Sequence, residues 1–173
     1  MIAYDLQSKT FLLSGKTYSY CMYVNRMGIL QHLYWGKKIG AEDAAFLVAA
    51  HGLPAEPDPN DLNRDMATDG MPQELGSFGR GDFRPATVIA RREDGAAMSR
   101  FCYVSHKIVK GALSLEGMPC ARKADETLVI TLKDELSDIE IDLHYAVSED
   151  SDILVRNTAV RNAGKDAAEI AKA

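Results

Sequence analysis

The 173-residue sequence predicts an all-β fold, an antiparallel β-sandwich with one short helix and one long loop. Three features carry that expectation. Apolar and polar residues alternate over many short stretches, turn residues separate the stretches at near-regular spacing, and a single segment is rich in helix formers. The alternation is clearest in Ile139–Val147. There Ile139, Ile141, Leu143, Tyr145 and Val147 fall on one face, and Glu140, Asp142 and His144 on the other. A strand of this kind has one packed and one wet face, so His144 is expected to be solvated or hydrogen-bonded.

Taken in order, strands are predicted at Ile2–Leu6, Thr10–Leu13, Tyr18–Asn25 and Ile29–Tyr34, broken by Ser14-Gly15-Lys16 and Met27-Gly28. Ala41–Ala50 is the helix, with acids in its first turn and a stop at His51-Gly52. From His51 to Pro85 the pattern is irregular and interrupted by Pro54, Pro57, Pro59, Pro72 and Pro85. A connection that long is functional or disordered. Leu53, Leu62, Met66, Leu75 and Phe78 would anchor it to the body, which favours an ordered functional loop. Strands resume at Thr87–Arg91, Arg100–Ile108, Thr127–Leu132, Ile139–Val147 and Ile153–Arg161, the third and fourth of these forming a hairpin. After Asn162-Ala-Gly-Lys165, the stretch Ala168–Ala173 begins another strand and stops, so a fragment with an incomplete sandwich is expected.

Composition narrows the function classes. The chain is 46% hydrophobic and 26% charged, with a net charge of −5 and interspersed signs, so nothing marks a basic face for nucleic acid or an anionic membrane. No apolar run is long enough for a membrane span, and no signal peptide is visible. Cys21, Cys102 and Cys120 form no C-x-x-C pair and read as buried thiols of a reducing compartment, the cytoplasm. His32, His51, His106 and His144 are scattered, and neither a metal nor a cofactor is expected. Ser105 and His106, adjacent in a strand, point to opposite faces and cannot form a catalytic dyad. Gly76-Ser-Phe-Gly79-Arg-Gly81 lacks the lysine and flanking elements of a phosphate-binding loop. Arg80-Gly81-Asp82 is the tripeptide read by adhesion receptors, but the chain shows no export signal. Trp35, close in sequence to Tyr18, Tyr20 and Tyr23, is either a sugar-stacking platform or a core or interface residue.

Several short motifs follow one another with compatible spacing. They are Ser19-Tyr20, Gly28-Ile-Leu30, Leu33-Tyr34-Trp35-Gly36, Pro72-Gln73-Glu74 and Gly79-Arg-Gly-Asp82-Phe83-Arg84-Pro85-Ala86. After them come Ser105-His106-Lys-Ile108-Val-Lys110-Gly111, Leu115-Glu-Gly117-Met-Pro119, Glu126-Thr-Leu128 and Arg161-Asn162-Ala-Gly164. The series, which covers the whole chain, resembles the N-terminal β-supersandwich region of bacterial α-galactosidases of glycoside hydrolase family 36.

The resemblance implies a modular enzyme whose catalytic (β/α)8 barrel, with its two aspartates, lies outside residues 1–173. The whole enzyme would release galactose from raffinose-type oligosaccharides with retention, while this chain alone would carry no catalytic residue. It also implies a homo-oligomer in which the long loop reaches a neighbour's pocket. Arg64, Asp61 and Trp35 are the candidate sugar-contacting residues. Glu74, Asp82 and Arg84 are expected to clamp the loop, with Asp82 and Arg84 pairing with loop groups or with Glu74, and Phe83 packing inward. A free-standing carbohydrate-binding or protein-interaction module is the alternative.

Overall fold

A computed structural model describes residues 1–50, 68, 70–79, 82–114, 116–134 and 136–173. The first sheet is a meander of β1 (Ile2–Asp5), β2 (Thr10–Ser14), β3 (Tyr18–Val24) and β4 (Leu30–Lys37), each antiparallel to the next. Helix α1 (Ala41–Ala50) follows, and β5 (Ile89–Arg92) comes after the long connection. The second sheet is another meander, β6 (Phe101–Lys110), β7 (Glu126–Asp134), β8 (Ile139–Val147) and β9 (Val155–Asn162). The last strand, β10 (Ala168–Lys172), returns to pair with β5 as a separate two-stranded sheet.

The core lies between the two meanders. Phe11, Leu13 and Met22 from the first sheet meet Leu128, Ile130, Ile141, Leu143 and Tyr145 from the second, all fully buried. The alternation read from Ile139–Val147 is therefore the packed face of β8. On the outside of the first sheet, Ala44 of α1 covers Leu12 and Cys21, and burial pushes the Cys21 thiol pKa up to about 12; of the other two thiols expected to be buried, Cys102 is half-buried and Cys120 exposed. One side of the sandwich is closed by β1, where the Ile2 amide donates to Glu126 Oε2 at 2.6 Å and Tyr4 packs on His106.

Two bulges shift the pattern of facing residues. Cys21 pairs with Tyr34 and Met22 with His32, so Leu33 is an extra residue in β4. His32 and Trp35 thereby both contact the Tyr20 ring, at 4.9 and 5.1 Å between centroids, although an unbroken strand would point them to opposite faces. In β6, Tyr103 pairs with Leu132 and Ser105 with Thr131, leaving Val104 extra. That bulge brings the Tyr103 hydroxyl to 2.7 Å from His106 Nδ1. Ser105 and His106 fall in successive rows opposite Thr131 and Ile130, on opposite faces.

His144 departs from expectation. It is 8% exposed and its Nδ1 makes no hydrogen bond, because Val129, across on β7, and Asn157, across on β9, crowd the outer face around it. Burial lowers the pKa of both His144 and His106, for His144 with Lys107 adding to the effect and Asp142 opposing it. Both imidazoles are then neutral in the folded chain and charge more readily once it unfolds. The associated stability is complete above the ordinary histidine pKa of about 6.5 and is lost as pH falls through it toward the lower folded values. Thermal melts between pH 7.5 and 5 should show the loss, and His144→Asn/His106→Asn should flatten the profile. An unchanged profile in the double variant would assign the acid sensitivity to other groups.

Candidate functional site

The side of the sandwich opposite β1 lies between the free edges of β4 and β9, and the end of the long connection closes it. Residues 71–76 run along β4: the His32 amide donates to the Pro72 carbonyl at 2.8 Å and the Glu74 amide to the Leu30 carbonyl at 3.0 Å. Gln73 lies opposite Gln31 as an isolated bridge, and Leu75 enters the core. This short segment acts as a fifth strand of the first sheet.

Its register turns the Glu74 carboxylate inward. The side chain is only 2% exposed and receives the Tyr20 hydroxyl at 2.8 and 2.9 Å, the Tyr145 hydroxyl at 2.8 Å and Arg156 Nη1 at 3.0 Å. Arg156 Nη2 also donates to the Glu74 carbonyl at 2.9 Å, and its guanidinium stacks over the Tyr145 ring. Tyr20 comes from the first sheet and Tyr145 and Arg156 from the second, so one carboxylate joins both sheets and the end of the connection. Burial, followed by the Glu74 charge, raises the pKa of both tyrosines, which therefore remain protonated donors. An ion pair this buried is worth keeping only when its remaining donors and acceptors are matched, which the two hydroxyls achieve.

A second polar cluster lies on the same segment. Arg84 Nε and Nη2 hold the two oxygens of Asp82 at 2.9 and 2.7 Å, and the Arg84 amide adds a bond at 3.1 Å. Arg84 lowers the Asp82 pKa, chiefly through these side-chain hydrogen bonds. Gln73 Nε2 donates to Asp82 at 2.9 Å, and both Arg84 and Gln73 reach the Thr68 carbonyl, at 2.8 and 3.1 Å. An isolated bridge supports the arrangement, with Gly79 opposite Asp82 and the Asp82 amide bonded to the Gly79 carbonyl at 3.2 Å. Gly79 has φ +91° and a Cβ there would lie 2.7 Å from Met98 Cγ, so glycine is required on both counts.

Asp82 and Arg84 thus bond to each other and to loop groups, while Glu74 is engaged elsewhere, by Tyr20, Tyr145 and Arg156. Phe83 does not pack inward: it is 95% exposed. With Asp82 buried and Arg84 folded back onto it, the residue between them faces out. Asp82→Ala is expected to cost about 1–3 kcal/mol by leaving Gln73 and the guanidinium short of an acceptor. It should also speed amide exchange over 70–84, and unchanged exchange there would remove the clamp role.

Trp35 is 63% exposed and contacts Tyr20 edge to face, leaving ring surface open at the β4 edge. Arg64 and Asp61 lie outside the described residues, as do Arg80 and Gly81 of the adhesion tripeptide. Among the described residues no group of three or more His, Cys, Asp or Glu side chains could hold a metal, and no helix is long and apolar enough to cross a membrane. Arg156 and Tyr145 were not singled out from the sequence. Their partner Glu74 is 82 and 71 residues away, and no local spacing signals such a pairing.

The model of the glycosyl hydrolase family 36 N-terminal domain matches residues 28–173. The chain belongs to that family. It is 32% identical over 99% of its length to the bifunctional α-galactosidase/sucrose kinase AgaSK of Mediterraneibacter gnavus, covering 19% of that protein. To the α-galactosidase Mel36A of Lactobacillus acidophilus it is 33% identical, again over 99% of the chain and 24% of the relative. The solved galactosidase domain of AgaSK matches all of the chain with a TM-score of 0.87 and 32% identity, 25% of that domain being covered. The α-galactosidase AgaA of Geobacillus stearothermophilus in complex with raffinose matches 95% of the chain with a TM-score of 0.84 and 31% identity, covering 24% of its own length. The chain therefore spans about a fifth to a quarter of these family members, and its antiparallel sandwich is the family's N-terminal fold.

Proposed function

We propose that this chain is the non-catalytic N-terminal part of an α-galactosidase acting on raffinose-type oligosaccharides, where it supports oligomer assembly and contributes to the rim of the substrate pocket. The observation that carries this reading is the match of the entire chain to one quarter of the AgaSK galactosidase domain. The Glu74 junction and the Asp82–Arg84 clamp suit the role, since they fix the end of the connection on the sandwich. Arg64 and Asp61, inside that connection, together with Trp35 beside it, are the proposed sugar contacts. Cytoplasmic residence belongs to the same reading and rests on the free thiols of Cys21, Cys102 and Cys120.

The test is activity with and without the sequence encoded downstream of codon 173. The 173-residue chain should show no turnover of an aryl α-galactoside. The polypeptide read on from the same gene should hydrolyse raffinose with retention, and Arg64→Ala should raise its KM. Turnover by the short chain, or none by the longer one, would overturn the reading. The exposure of Trp35 favours one alternative, a free-standing carbohydrate-binding module. Trp35 is the only tryptophan, so its fluorescence reports this directly. A saturable change on adding raffinose to the short chain would support the module.

A further inference from the structure

We propose that a hollow between the β6–β7 connection and the β8–β9 loop binds a small organic carboxylate with an apolar body, held by Arg122. The hollow has a volume of about 360 Å3, within the range of small-molecule sites at roughly 300–1,000 Å3. It lies on the face of the second sheet turned away from the core and shares no residue with the Glu74 junction or the Asp82–Arg84 clamp. Its floor is Ala146 of β8 with Val155 opposite it on β9. Ala121, from the β6–β7 connection, and Ile153, from the loop before β9, complete the apolar lining. Ile153 is 67% exposed, apolar surface that a ligand in the hollow would cover.

Both walls are braced. Lys123 of the connection pairs with Asp150 of the loop, and the Glu149 amide donates to Asp125 Oδ2 at 2.8 Å. The Asp125 amide donates to the Val147 carbonyl at 2.9 Å, and the Lys16 amide to the Ser151 carbonyl at 3.0 Å. A site held this way gives up little freedom when it is filled. The charges then select the ligand. Lys123 and Asp150 cancel, and Arg122 is exposed with no acid paired to it among the described residues. Its guanidinium presents parallel N–H donors that match the two oxygens of a carboxylate. A dianion would face the Asp150 carboxylate with a single uncompensated cation to balance it, so the geometry and the charge favour a monoanion.

Cys120 lines the same hollow and is exposed, so its alkylation by iodoacetamide, read by peptide mapping, reports occupancy; half-buried Cys102, outside the hollow, is the internal reference. In the 173-residue chain, millimolar 3-phenylpropionate should slow alkylation of Cys120 saturably, by at least about threefold at two-thirds occupancy, and leave Cys102 unchanged. Arg122→Gln should raise the half-protecting concentration about tenfold, the loss of one charge-assisted pair. The neutral isostere 3-phenylpropionamide should be weaker by a similar factor, and acetate, which has the charge without the body, should not protect. No protection by 3-phenylpropionate, equal protection by its amide or by acetate, or protection that survives Arg122→Gln would each overturn the inference. Equal slowing of Cys102 would mark an effect on the whole chain and overturn it as well. None of these outcomes bears on raffinose hydrolysis, so the inference stands or falls apart from the domain reading.

Discussion

Glu74→Ala is expected to lower the stability of the chain by about 3–5 kcal/mol, the usual cost of breaking a buried pair from one side. The substitution takes the carboxylate partner from Arg156 and leaves the Tyr20 and Tyr145 hydroxyls without their acceptor. Arg156 is 37% exposed along its side chain and can turn toward water, which places the expected value toward the lower end of that range. For a chain of this size the thermal midpoint should fall by roughly 10 °C. Glu74→Gln preserves shape and one acceptor but removes the charge, so it should fall between wild type and Glu74→Ala. If Glu74→Ala costs less than 1 kcal/mol in urea unfolding, the carboxylate does not hold the sheets together.

The second large effect is expected from Leu143→Ala, at about 2–5 kcal/mol. Leu143 is fully buried on the central strand β8, with Ile130 beside it on β7. Neighbours from two sheets cannot all relax into the space it leaves, so much of the cavity should persist. Lys107→Ala, on the exposed outer face of the same sheet, should change stability by less than about 0.5 kcal/mol. Comparable losses from the two substitutions would contradict the assignment of the core to the space between the meanders.

The strands were legible in the sequence wherever one face is dry and the other wet, as in Ile139–Val147, because alternation with period two reports burial directly. The helix was legible from composition and its stop signal. What alternation could not show is the single extra residue at Leu33 or Val104, each of which changes the face of everything after it. The contacts of His32 with Tyr20 and of His106 with Tyr103 depend on those bulges. The outward Phe83 was missed for a related reason. An apolar residue was expected to turn inward, but the hydrogen bonds of Asp82 and Arg84 outweigh the burial of one ring. His144 was assigned to a wet face that neighbouring side chains in fact cover. Glu74 is singled out in the sequence, whereas its partners come from distant strands and become visible only once the sheets are stacked.

The connectivity of the two meanders has a kinetic consequence. Within each, every strand pairs with its sequence neighbour, so either sheet can assemble through closures of short segments. Only their union requires the two sheets to be brought together across the helix and the long connection, a much larger loop to close. Folding should therefore show early formation of two local units and a later step in which they join, with Glu74, Tyr145 and Arg156 contributing only to the second. In ratio form, Glu74 variants should accelerate unfolding far more than they slow refolding.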